Sequence, residues 1–207
     1  MNKAYLTLAT LLTAAATLTS SEAAHALGPV DVEIAARGGF ATNPSSTDFS
    51  ANPFGGGIGG RAGVSYFGFY GGLSGIYYFG SSGLVNNSLT LITAPLHTFM
   101  AGVELGYTLP IPYVKLRPQV GVGSSTITFG PFTSSGTPSV GGGAQSYSNL
   151  YLEPGIVVLV PLGRFFFVGA DLNALFLPSA TGANGMSNNT PAPYVSLSTH
   201  AQVGIQF

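Results

Sequence analysis

Period-two alternation in eight segments, connections that alternate between long and short, and a charged fraction of only 6% predict an all-β chain: one eight-stranded antiparallel up-and-down barrel that crosses a membrane. The alternation is cleanest at the end of the sequence. Val195, Leu197, Thr199, Ala201, Val203, Ile205 and Phe207 fall on one face, and Ser196, Ser198, His200, Gln202, Gly204 and Gln206 on the other, as in a strand with one apolar and one polar side. Charge indicates the solvent. A soluble domain carries roughly 25% charged residues, whereas this chain of 207 residues has 30 glycines, a formal net charge of -1 and a mean hydropathy of +0.39. That composition suits contact with lipid. No Lys/Arg cluster is present to meet a polyanion, which argues against nucleic-acid binding. The absence of cysteine excludes disulfides, thiol catalysis and cysteine metal sites.

Residues 1–26 read as a cleavable export signal: Lys3 precedes an apolar Ala/Leu/Thr stretch from Ala4 to Leu18, and Ala24-His25-Ala26 has the small-x-small form of a cleavage site. The stretch is shorter than the roughly 20 residues of a spanning helix and is dotted with threonine. The mature domain is expected over residues 27–207.

The first strand is predicted from about Val30 to Ala41, with Val32, Ile34, Ala36 and Phe40 opposite Asp31, Glu33, Ala35 and Arg37. The second, about Gly57 to Phe67, sets Ile58, Ala62, Val64 and Tyr66 against Arg61 and Ser65. The third, about Tyr70 to Gly80, has two possible phases, since Leu73/Tyr77/Phe79 and Ile76/Tyr78 are both apolar sets. The fourth, about Leu96 to Tyr107, puts Phe99, Ala101, Val103, Leu105 and Tyr107 opposite Thr98, Met100 and Glu104. The fifth, Tyr113 to about Ser124, sets Val114, Leu116, Val120 and Val122 against Lys115, Arg117 and Gln119. The sixth, Asn149 to Val160, sets Leu150, Leu152, Ile156, Val158 and Val160 against Tyr151 and Glu153. The seventh, Phe165 to Leu177, sets Phe166, Val168, Ala170, Leu172, Ala174 and Phe176 against Asp171 and Asn173, and the eighth is the terminal strand. Pro118 and Pro154 fall inside strands, where a missing N–H forfeits a ladder bond, and bulges are expected there.

The connections run long at about 42 to 56, 80 to 95, 125 to 148 and 178 to 193, and short at 67 to 70, 108 to 112 and 161 to 164. The long ones are rich in Gly, Ser, Asn, Thr and Pro and almost uncharged. A helical span over 155–177 is disfavoured by Pro154, Pro161, Arg164 and Asp171 and by the period of two.

Alternation alone also fits a soluble sandwich. The placement of charge favours the membrane barrel. Of eleven charged residues after the signal, Asp48 falls in a loop and Arg164 in a turn. The other nine (Asp31, Glu33, Arg37, Arg61, Glu104, Lys115, Arg117, Glu153 and Asp171) sit opposite the apolar face. A Lys or Arg facing mid-membrane costs about 2 to 4 kcal/mol, and a soluble sandwich would carry many more charges on its solvent face. Tyr66, Phe67, Phe69, Tyr70, Tyr107, Tyr113, Phe165 to Phe167 and Phe207 gather near the short turns, as an aromatic girdle does.

On this pattern, the loop rhythm and the terminal Gln202-Val203-Gly204-Ile205-Gln206-Phe207, the chain from about Val30 resembles the small eight-stranded bacterial outer-membrane barrels, a group that includes the OmpA transmembrane domain and OmpX. The resemblance implies the outer membrane of a Gram-negative bacterium, with long loops external and both termini periplasmic. It also implies outer-membrane lipid as a partner, and a C-terminal strand (Val203, Ile205, Phe207) recognised by the barrel assembly machinery. The periplasmic peptidoglycan-binding domain of full-length OmpA is expected to be absent.

No catalytic residue, cofactor or metal site is expected. After the signal only His97 and His200 remain, without an His-x-x-x-His pair, and His200 is read as a hydrogen-bonded lumen histidine. Ser146-Tyr147-Ser148-Asn149 is similar to the His-Tyr-Ser-Asn of barrel-form lipid A deacylases, but Ser146 stands where that motif has its histidine base. Gly55 to Gly60 and Gly141 to Gly143 lack the Lys-Ser/Thr ending of a phosphate loop. A lumen charge cluster of Glu104, Lys115, Arg117 and Glu153 is expected, on the assumption that the turn at 108 to 112 centres near Pro110 and so sets Glu104 between Lys115 and Arg117. Such a barrel would serve membrane structure, adhesion or loop-mediated binding, with no large pore. The alternatives are a conduit or carrier for a small apolar compound, from Phe49, Phe54, Leu84, Val85 and Phe132 in the loops, and a lipid A-modifying enzyme.

Overall fold

Successive side chains of a strand point to opposite faces, so a strand with valines and phenylalanines on one side and arginines and glutamates on the other separates two environments. Eight such strands form one closed wall here. The structure, a computed structural model, describes residues 30–42, 53–80, 85–87, 90–93, 96–130, 133–134, 144–178, 180–182 and 195–207. The export signal (1–26), Asp48, Phe49, Leu84, Phe132 and Gly141 to Gly143 lie outside the described residues.

The strands are β1 (Val30–Thr42), β2 (Gly55–Tyr66), β3 (Phe69–Phe79), β4 (Leu96–Tyr107), β5 (Val114–Phe129), β6 (Gln145–Leu162), β7 (Phe166–Phe176) and β8 (Val195–Gln206). Each pairs antiparallel with its sequence neighbours, and β8 pairs back onto β1. The seam is completed by Val32 and Phe207, each donating its N–H to the other's carbonyl at 3.0 Å. Paired residues trace a continuous line from Asp31 through Ser65, Tyr70, Gly106, Gln119, Gly155, Asn173 and Ser198. The line returns to β1 at Ala41, ten residues above its start. That stagger is the shear that tilts strands in a barrel.

The short turns use left-handed backbone. Phe67 (φ 47°) and Gly68 (φ 86°) form a two-residue turn with both φ positive, the hairpin form that matches strand twist. This turn also settles the phase of β3. It pairs Ser65 with Tyr70, so Tyr70, Ile76 and Tyr78 are inward and buried, whereas Leu73 and Phe79 are outward and exposed.

Three expectations are corrected. The β4–β5 turn is made by Pro112 and Tyr113 (φ 69°), not around Pro110. Leu109–Ile111 pairs with the start of β5, and Glu104 lies opposite Gly121. Proline followed by a residue of positive φ is the type II arrangement. The bulges expected at Pro118 and Pro154 are absent. At Pro118 the ladder toward β4 lapses, at Pro154 the ladder toward β7 lapses, and the register is unchanged on either side. Pairing between β5 and β6 runs straight through both prolines, because each missing donor is turned to the other neighbour. Finally, β5 and β6 are longer than expected, reaching Phe129 and starting at Gln145. Beyond Val122 and Leu150 their outward residues become Ser124, Thr126, Thr128, Ser146 and Ser148. Apolar alternation therefore ends at the edge of the lipid belt, while backbone pairing continues past it.

At this loop end, Ala180–Gly182 adds to β6, and Val85–Asn87, Thr90–Thr93 and Thr133–Ser134 pair with one another, joining the β3–β4 and β5–β6 connections. Inside, glycines seat the aromatic rings. A Cβ at Gly63 or Gly72 would strike the Tyr70 ring, and one at Gly102 or Gly123 would strike Tyr151.

Candidate functional site

The inner face carries the polar chemistry. All nine strand charges named above turn inward, and Glu33, Arg37, Arg61, Glu104, Arg117, Glu153 and Asp171 are buried. Eight strands leave an interior just wide enough for side chains to fill, so these groups meet across the lumen as well as along the wall.

At the turn end, Arg117 of β5 makes a two-pronged contact with Glu33 of β1, at 2.6 and 2.9 Å, and donates through Nε to Thr108 at 2.9 Å. Such a fork fixes geometry as well as charge. Its guanidinium lies 3.9 Å from the centre of the Tyr70 ring, which the glycines beneath allow to lie flat against the wall. Arg61 of β2 bridges the two sides of the lumen, 3.4 Å from Glu33 and 3.7 Å from Glu104. Higher up, Arg37 donates to Glu104 at 2.8 Å and to Asp171 at 3.0 Å. Asp171 also accepts from Asn173 Nδ2 at 2.8 Å and faces His200 Nδ1 at 2.6 Å. With Nδ1–H donating to that carboxylate, His200 Nε2 accepts from the Tyr78 hydroxyl, 2.6 Å away. Ser198 donates to Glu153 at 2.9 Å and is 3.5 Å from Asn173 Nδ2. The result is one connected network from Thr108 to Tyr78 and Glu153.

The four residues expected as a cluster all lie in the lumen, but their immediate partners differ from the expectation. Glu104 takes Arg37 and Arg61, while Arg117 takes Glu33. Lys115 is at the turn-end rim, 3.8 Å from Asp31 and 3.1 Å from Gln206 Oε1. Glu153 reaches the network through Ser198. The physical reason is twofold: the turn register moves Glu104 opposite Gly121, and long side chains reach across a narrow lumen. Phe167, expected in the aromatic girdle, is turned inward at 1% exposure. Tyr70, also expected there, and Tyr78, whose phase the sequence leaves open, both face the lumen. Strand parity carried through the Phe67-Gly68 turn was the signal that could have placed them.

Above the network the lumen becomes mainly apolar, with Thr98, Ser125, Asn149 and Ser196 buried among the apolar side chains. Ala41, Phe54, Ile76, Tyr78, Met100, Tyr151, Leu175 and Leu177 form one buried cluster at the loop end. Phe54 is therefore part of the barrel's interior, and Val85 is in a short strand of the loops. A smaller cluster of Ala35, Val157, Leu159 and Phe167 lines the wall nearer the turns.

Tyr78, His200 and Asp171 have the order of an acid–base relay, yet their exposures are 0%, 2% and 3%, and Tyr78 is itself packed within the apolar cluster under Phe54. Ser146 and Ser148 sit on the outer surface, paired with Thr128 at 3.1 Å and Thr126 at 3.3 Å. Their partners are hydroxyls, which do not activate a nucleophile as a base does. His97 is also outside, stacked on Tyr77 with ring centres 5.6 Å apart. Among the described residues no group of three or more His, Asp or Glu is arranged to hold a metal ion.

No protein-family description and no curated protein sequence matches the chain. Solved structures do. Neisserial surface protein A aligns over 87% of this chain and 98% of its own, with a TM-score of 0.55 and 13% identity. A major outer membrane protein from Thermus thermophilus aligns over 87% of this chain and 100% of its own, with a TM-score of 0.61 and 12% identity. At such identity the likeness is one of architecture: this chain has the closed eight-stranded fold of small outer-membrane β-barrels.

Proposed function

We propose that the chain is an integral outer-membrane barrel that does not conduct, and that it acts through its outer end, as membrane structure, in adhesion or in binding by the long loops. The observation that supports this is the filled lumen, with a connected ion-pair network below and an apolar cluster across the mouth. The orientation we assign has the long loops external and both termini periplasmic. The hydroxyl-bearing extension of β5 and β6 past the lipid belt suits an aqueous outer side. The partners we assign are outer-membrane lipid around the wall and the barrel assembly machinery at Val203, Ile205 and Phe207. We assign no catalytic role. Planar-bilayer recordings test the reading: the native protein should give no stable conductance steps, and a steady porin-sized conductance would refute it.

A further inference from the structure

Phe54 fills the barrel mouth without belonging to the barrel wall. Pairing of β1 with β2 begins at Ala41 and Gly55, and Gly55, at φ 65°, turns the preceding residues off the ladder and into the lumen. The Phe54 ring is fully buried within the apolar cluster, edge-on to Tyr78 at 5.6 Å and 88°. Thr98 Oγ1 donates to the Pro53 carbonyl at 2.6 Å and fastens this short strap to β4.

A second observation concerns the same level of the lumen. Ser125 is the register partner of both Met100 and Asn149, and Ser196 is the partner of Leu175. All three polar residues face inward, at 0%, 2% and 0% exposure for Ser125, Asn149 and Ser196. Ser125 Oγ, Ser196 Oγ and both amide atoms of Asn149 have no hydrogen-bond partner among the described residues. Buried polar groups are normally answered. A buried aromatic ring at the same level of the lumen as unanswered donors and acceptors gives the mouth the make-up of a small-molecule pocket, apolar with a few placed polar groups.

We propose that the mouth is a binding site for a small phenol-class molecule, and that Phe54 is its built-in occupant, displaced when the Pro53–Phe54 strap swings on Gly55. The ligand's ring takes the Phe54 seat and its hydroxyl meets Asn149 and Ser125. The ion-pair network beneath stays shut, so the site rests on the barrel reading but requires no pore. Ordered water would also answer the polar groups; binding that depends on release of Phe54 is what separates a ligand from water.

The test uses the full protein folded in detergent, phenol as probe and benzene as control, with binding followed by calorimetry. Vacating the seat with Phe54→Ala should tighten phenol binding by about tenfold or more, because apparent affinity scales with the fraction of open sites. Adding Asn149→Ala should weaken phenol and leave benzene unchanged. Since the chain has no cysteine, Pro53→Cys with Thr98→Cys supplies the only thiols. Oxidation should lock the strap and abolish phenol binding, and reduction should restore it. Equal binding by the locked and reduced forms, no gain from Phe54→Ala, or equal effects of Asn149→Ala on phenol and benzene would overturn the proposal. If Phe54→Ala does not fold, the lock, which keeps Phe54, decides. Gel mobility before and after boiling of the same samples reports the barrel itself. A folded barrel that binds no phenol counts against the mouth site alone.

Discussion

Glu33 holds two guanidiniums with one carboxylate: both Arg117 prongs and, more distantly, Arg61. All three side chains are within 1% of full burial, so removing the carboxylate strands two cations in a space with little water. Breaking a buried pair by deleting one partner costs about 3 to 5 kcal/mol, a large share of a typical stability of about 5 to 15. We therefore expect Glu33→Gln to lower the urea unfolding midpoint markedly. Asp31→Asn, which affects a partly exposed contact to Lys115 at 3.8 Å, should change it little, in keeping with the small worth of exposed pairs. Equal shifts for the two variants would mean that the network does not carry stability. At this scale the sequence told which charges face inward, because parity decides that. It did not tell their partners. Arg37 and Glu104 lie on strands that are not neighbours in the wall, and only the diameter of the lumen brings them within 2.8 Å.

Along each strand the outward residues mark the depth of the membrane. Val103 on β4 is outward and 48% exposed, in the middle of an apolar run from Phe99 to Tyr107. Val103→Arg should destabilise the lipid-embedded barrel by about 2 to 4 kcal/mol, whereas Ser148→Arg, past the belt on β6, should cost about 0 to 1. Unfolding titrations in lipid vesicles measure both, and comparable losses would misplace the belt. The last strand carries a second test. Phe207 points outward beside Phe165, with ring centres 6.4 Å apart, while Gln206 turns toward Lys115. Phe207→Asp should reduce the amount assembled in the outer membrane more than Gln206→Asp does. Equal membrane levels would remove Phe207 from the assembly signal. Strand existence was legible throughout, β4 to the residue, and facing in every strand but β3, because lipid on one side and charge on the other enforce a strict alternation; β3 has apolar residues on both faces and no charge. The far ends of β5 and β6 were not. There both faces are polar, so the pattern fades while the backbone ladder continues.

Closure makes the whole molecule what it is. A spanning sheet must satisfy every backbone group internally, since lipid offers no hydrogen bonds, and pairing of β8 with β1 leaves the wall without an edge. Eight strands, the long and short rhythm and the sparse charge were all readable from the chain. The ten-residue stagger of the circuit was not, because it sums eight registers, and the expected β4–β5 register was itself displaced by the choice of Pro110 over Pro112. The claim on which the rest depends is that this closed wall faces lipid. Electrophoresis in SDS of the detergent-folded protein, before and after boiling, tests it most directly. The closed barrel should migrate as a distinct species until heat opens it. Identical mobility in both lanes from a monomer that stays soluble in water without detergent would contradict it.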